Sequence, residues 1–128
     1  MTGPLWIAIL LLPLILSIPG LLLWKIPPKS INSIYGFRTR LASRSIETWK
    51  YANVRSGKLM FISGGLLLVV NITLFLFSGR ILDVSDTISF ISRISTIIAV
   101  LIFTSIVLII QHELKNRFDN RGMPIDKF

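Results

Sequence analysis

Three long uncharged runs constrain this chain more than any other feature. Leu5 to Trp24, Leu59 to Gly79 and Ile94 to Ile110 contain no Asp, Glu, Lys or Arg, and the first two are 20 and 21 residues long. At about 1.5 Å per residue, a helix of 20 residues covers the roughly 30 Å hydrocarbon core of a bilayer. The third run reaches that length if its helix begins near Thr87, capped by Ser85 or Asp86. Charged residues make up 16% of the chain, against about 25% in a soluble domain. A globule of 128 residues cannot cover so much apolar surface with so few charges. The sequence therefore predicts an all-α membrane protein with three transmembrane helices, at about 5–24, 59–79 and 88–110. They form one membrane domain over residues 1–128.

Each run carries signs of helix partners. Pro13 and Pro19 lie inside the first and predict a kink, because proline removes a backbone donor. The carbonyls they free need partners in lipid, so other helices or polar groups should pack there. Trp6 and Trp24 sit at the two ends, where aromatic belts lie. No Lys or Arg precedes this run and no A-x-A-like site follows it, so a retained helix is preferred over a cleaved signal peptide. Gly64-Gly65 in the second run allows close helix approach. Asn71 reads better as an interhelical hydrogen bond than as a ligand contact. Ser92, Ser95 and Ala99 make a small-residue stripe in the third run, and Arg93 is expected to point outward or pair with Asp86.

Charge sets the orientation. Residues 25–58 hold eight of the fourteen Lys and Arg and one acid, Glu47. Loops rich in Lys and Arg stay cytoplasmic, which predicts N-out and C-in. The 25–58 loop and the 111–128 tail are then both cytoplasmic, and the tail is expected to fray after Gly122-Met123-Pro124. The function classes narrow as well. No cysteine is present, which excludes disulfides and thiolate metal sites. His112-Glu113 lacks the second His of a zincin, since position 116 is Asn. No acid lies inside a span and no nucleophile–base pair is visible, so neither enzyme nor transporter chemistry, and no cofactor, is expected. The loop is short, tethered to lipid and unlike any nucleic-acid-binding fold, so nucleic acid is not an expected partner.

Thirty-four residues make the 25–58 loop long for a connection, and its aromatic and branched residues make it too apolar for a disordered linker. Pro27-Pro28 ends the first helix. Gly36 suits a turn with φ above zero. Ser45 or Ser43 can cap a short amphipathic helix with Glu47 in its first turn. Ile46, Trp49 and Asn53 are expected on one face of that helix, which lies in the membrane interface and leads into the second span. Most of the loop's charges serve orientation and attraction to anionic lipid. One of Arg38 and Arg40, in an apolar turn, is expected to be buried, and an Arg38–Glu47 pair is the first candidate. Arg38→Ala should then be far more damaging than Arg44→Ala.

The run Tyr35-Gly36-Phe37-Arg38-Thr39, followed by Trp49, Asn53 and Gly57, resembles the SdpI family of small bacterial integral membrane proteins. Pro28 and Asn32 match the lead-in and Glu47 the acidic position before the Trp; Ser45 departs from it, where Asn is more usual. The likeness covers roughly Pro27 to Gly57 and the flanking spans. It makes Asn32, Tyr35, Gly36, Arg38, Thr39, Glu47, Trp49, Asn53 and Gly57 the candidate functional motif. It implies a multi-pass protein of the bacterial cytoplasmic (inner) membrane, giving immunity against or sensing a membrane-active peptide toxin, sometimes with a cytoplasmic regulator. The alternative is a small structural accessory subunit of a larger membrane protein complex, which the glycine pair and serine stripe also suit. Three short spans bury little between them, so a homo-oligomer or a larger complex is expected, in a bilayer with anionic lipid at its cytoplasmic face.

Overall fold

A computed structural model describes residues 5–32, 36–78 and 83–125. Its helices are α1 (Leu5–Lys25), α2 (Ile46–Ser78) and α3 (Val84–Arg117), with one 3-10 turn at Ala42–Arg44. No strand occurs among the described residues; a single bridge joins Phe118 and Pro124. Tyr35, the side chain of Trp6 and the connection 79–82 lie outside what is described.

The amphipathic segment after Ser45 and the second apolar run are one helix of 33 residues. No proline interrupts it, and Glu47 sits in its first turn, where the helix dipole favours negative charge. The third helix starts at Val84 rather than near 88 and ends at Arg117 rather than 110. Lys115 and Arg117 in its last turn suit the negative end of the dipole. Both α2 and α3 contain stretches long and apolar enough to cross a membrane.

α1 packs chiefly against α2, and glycine makes the contact possible. A Cβ on Gly57 would lie 2.5 Å from the Trp24 nitrogen and 2.6 Å from the Gly20 oxygen. One on Gly20 would lie 2.6 Å from the Phe61 nitrogen, and one on Gly64 would meet Ser17 and the Pro13 oxygen. The two backbones therefore touch along one face of α2. Gly65 has nothing within 4 Å of such an atom, so only the first glycine of the pair serves the contact.

Pro13 has no N–H to give to the Ile9 carbonyl four residues back. That carbonyl accepts a hydrogen bond from Asn71 Nδ2 at 2.9 Å, and the same amide donates to Ser95 Oγ at 2.8 Å. One buried side chain on α2 thus ties α1 to α3, the interhelical role expected of it. Such a bond inside an apolar bundle contributes about 1 kcal/mol.

The apolar core runs along the bundle in three clusters. Ile9, Ile88 and Ile91 close one end with Phe75. Leu16, Leu67 and Ala99 fill the middle. Phe37, Ala42, Ala52, Ile106, Ile110 and Leu114 fill the end where the loop folds. Outside these, Leu66, Val69, Leu76 and Phe77 on α2 and Phe90, Val100, Leu101 and Leu108 on α3 are each more than half exposed. Arg93 is exposed and makes no ion pair with Asp86.

Candidate functional site

The end of α1, the start of α2 and the end of α3 meet at one end of the bundle, and the loop and tail fold over it. Ser45 and Thr48 set where α2 begins. Thr48 N donates to Ser45 Oγ at 3.1 Å and Ser45 N donates to Thr48 Oγ1 at 3.0 Å. This is a capping box with Thr in the usual Glu position, and it selects Ser45 over Ser43 as the cap. Thr48 Oγ1 also reaches the Ala42 carbonyl, holding the 3-10 turn to the helix.

Trp49 and Asn53, one turn apart on α2, organise the loop. Trp49 is fully buried, and its indole N–H donates to the Pro28 carbonyl at 3.0 Å. Asn53 Oδ1 accepts the Phe37 N–H at 2.6 Å, and its Nδ2 donates to the Trp49 carbonyl at 2.8 Å. Gly36 sits against both at φ +123°; a Cβ there would be 2.6 Å from Asn53 Oδ1 and 3.1 Å from the Trp49 ring. Only glycine fits that backbone and that space. Ile46, expected on the same face, is 53% exposed and turns outward instead. Ala52 and Ser56 are the buried neighbours of Trp49 and Asn53.

The other motif residues take different roles. Thr39 Oγ1 donates to Gln111 Oε1 at 3.0 Å and accepts the Ala42 N–H, joining the loop to α3. Gly57 faces α1. Asn32 Nδ2 donates to the nearby Ser30 carbonyl. Arg38 and Glu47 are both exposed and are not paired with each other. The expected buried Arg38–Glu47 pair is therefore wrong. With water within reach, the guanidinium avoids the several kcal/mol, roughly, that burying a charge costs.

The ion pair found among the described residues is Arg55–Glu113, at 3.3 Å between α2 and α3. Tyr51 Oη donates to the other Glu113 oxygen at 2.6 Å. The Arg117 guanidinium lies 5.5 Å over the Tyr51 ring, and Phe118 meets that ring edge-on at 5.6 Å. Burial works to raise the Glu113 carboxyl, but hydrogen bonds from Tyr51 and Arg55 and the charges of Arg55 and Arg117 outweigh it and hold it below its ordinary range. The Tyr51 hydroxyl is pushed up to about 12, by burial first and then by Glu113.

Residues 118–125 turn back onto the start of α2, and the fraying expected after Gly122-Met123-Pro124 falls chiefly on residues outside the described part. Asp119 Oδ1 accepts the N–H groups of Arg121 and Met123, and Ile125 N donates to the Arg117 carbonyl. Ser45 Oγ donates to the Gly122 carbonyl, and Gly122 has φ +78°. Residues 126–128 lie outside the described part.

Sequence reasoning missed Tyr51, Arg55, Gln111, Glu113 and Gly122. One signal was present. Leu114 extends the buried stripe of Ile106 and Ile110 by one more turn, which carries the inward face of α3 past its apolar run. Gln111 and Glu113 flank that stripe. Under the loop lies a groove of about 720 Å³. Asn32, Gly36, Arg38 and Thr39 line its loop side, and Leu23, Met60, Phe103 and Val107, from all three helices, form its walls. Its walls are apolar, and Arg38 brings a positive charge to its loop side.

No solved structure matches this chain. The uncharacterized protein YfhL of Bacillus subtilis (strain 168) is 38% identical over 80 residues, which are 59% of this chain and 73% of YfhL. A family model described as the SdpI/YfhL protein family matches residues 29–111, taking in the loop, α2 and α3 as far as Gln111. The chain belongs to the SdpI/YfhL family.

Proposed function

We propose that this is a three-span protein of the bacterial cytoplasmic membrane, N-terminus outside, that gives immunity against, or senses, a membrane-active peptide toxin. The observation that carries this reading is the groove under the loop: four residues of the family-like motif face apolar walls from three helices. A hydrophobic peptide segment fits such walls, and a carboxylate on it would find Arg38. The apolar coat of α2 and α3 supports a lipid environment. The excess of Lys and Arg on the loop supports a cytoplasmic loop end.

Deletion must sensitise the cell to a secreted peptide, and the wild-type gene must restore protection. Val107→Trp, which fills the groove, should abolish protection at an unchanged membrane level, while Leu108→Trp, on the exposed face, should not. Full protection by Val107→Trp would overturn the reading. Orientation has its own test, because the chain has no native cysteine. Asp83→Cys should react with an impermeant thiol reagent in intact cells, and Lys29→Cys only after permeabilisation. Co-purification with a stoichiometric larger partner in mild detergent would favour the accessory-subunit reading instead.

A further inference from the structure

A second groove, of about 470 Å³, opens where α1 ends and α2 begins. Lys25, Lys29 and Lys50 line it beside Trp49, and all three lysines are exposed. None of them forms an ion pair among the described residues. Glu47, the acid of the loop, lines the neighbouring groove with Tyr51 and Arg55, and Lys50 borders both grooves. Three positive charges thus share one concavity with no acid in its lining, an arrangement that repels itself until an anion enters. Ile26 and Ile46 also line it and are 66% and 53% exposed. The Lys25 ammonium lies 4.1 Å over the Trp24 ring, at the last turn of the α1 apolar run. Basic charge, exposed branched side chains and an aromatic ring at a helix end are the chemistry of a headgroup boundary.

We infer that this groove binds one anionic phospholipid, with its phosphate among Lys25, Lys29 and Lys50 and its first acyl carbons against Ile26 and Ile46. The inference rests on the membrane placement proposed above and is independent of the toxin reading. It differs from diffuse attraction to an anionic surface because it depends on which charges are removed and not only on how many. A free phosphate would use the lysines and ignore the isoleucines.

The test uses the full chain in mild detergent, with retained lipid counted by native mass spectrometry. Phosphatidylglycerol should be retained about tenfold more than phosphatidylcholine, and excess inorganic phosphate should not displace it. The triple variant K25Q/K29Q/K50Q should lose about tenfold in retention, while R40Q/R44Q/R121Q, with the same loss of charge at the same end, should stay within about twofold. K25R/K29R/K50R should retain the lipid. If the glutamine triple is not recovered folded, Lys29→Gln alone, at an exposed position, must still lower retention. Equal losses in the two triples, displacement by phosphate, or equal retention of both lipids would each overturn the site. A chain that stays in the supernatant when membranes are sedimented would overturn the membrane placement instead.

Discussion

The two ends of the bundle hold the same three helices by different means. At the loop end the contacts are directional: Trp49 to Pro28, Asn53 to Phe37, Thr39 to Gln111, and Glu113 to Tyr51 and Arg55. At the other end Ile9, Ile88, Ile91 and Phe75 make an apolar plug. There the buried Thr87 hydroxyl has no hydrogen-bond partner among the described residues, and Ser17 in the middle of α1 likewise has none among them. Apolar contacts tolerate small slides and rotations, whereas a hydrogen bond to a particular backbone atom fixes one arrangement. The loop end is held by many such bonds, and the other end by its apolar plug together with the Asn71 amide on the Ile9 carbonyl and Ser95. The loop end is also the one that carries the two grooves described above and most of the charge.

The largest effect should come from the glycine contact that spans both regions. Gly57→Val places carbon atoms against the backbone of Trp24 and Gly20 and should cost about 3 kcal/mol or more, seen as loss of monodisperse protein in detergent. Gly65→Ala, with open space around it, should instead stabilise by up to about 1 kcal/mol in thermal melts in detergent.

Next come the two asparagines, which compare the regions directly. Asn53→Ala leaves a buried Phe37 N–H unpaired and should cost about 2 kcal/mol. Asn71→Ala should cost about 1 kcal/mol. A reversed order in thermal or denaturant unfolding would break the contrast drawn between the ends.

The acid–tyrosine pair is expected to act through pH. Glu113 has a folded pKa below its ordinary 4.5. Its contribution is complete above that value and is lost as pH falls through the lower folded one. Tyr51 rises from 10.0 to about 12 in the folded chain. Its contribution is complete below pH 10.0 and is lost as pH rises towards 12. Melting temperature should fall at both extremes; Glu113→Gln should flatten the acid limb and Tyr51→Phe the alkaline one. If both limbs persist unchanged in the double variant, the pair is not what shapes them.

The smallest effect is expected at Arg38 and Arg44. Both are exposed, so each change to Ala should lie within about 0.5 kcal/mol. A loss at Arg38 several times larger than at Arg44 would revive the buried-arginine idea.

The positions of the helices were legible in the uncharged runs, because hydropathy over 20 residues is a strong and local signal. The cap of α2 at Ser45 and the positive φ of Gly36 were also within reach, since they depend on a short spacing and one backbone constraint. The acid of the loop end was not. Glu113 lies 58 residues from Arg55 and 62 from Tyr51, and nothing local marks such a pair. With Glu47 the only acid near Arg38 in sequence, proximity along the chain stood in for proximity in space and failed.

Asn71 gives the bundle an order of construction. As the chain is made, α1 leaves the ribosome with its Ile9 carbonyl lacking the donor that Pro13 deleted. The amide that completes it is 62 residues downstream, and that amide's second hydrogen waits for Ser95, a further 24 residues on. The first helix therefore stays chemically unfinished until the second has been synthesised. The proline turns a bond that any isolated helix would make for itself into a reason for the helices to find one another.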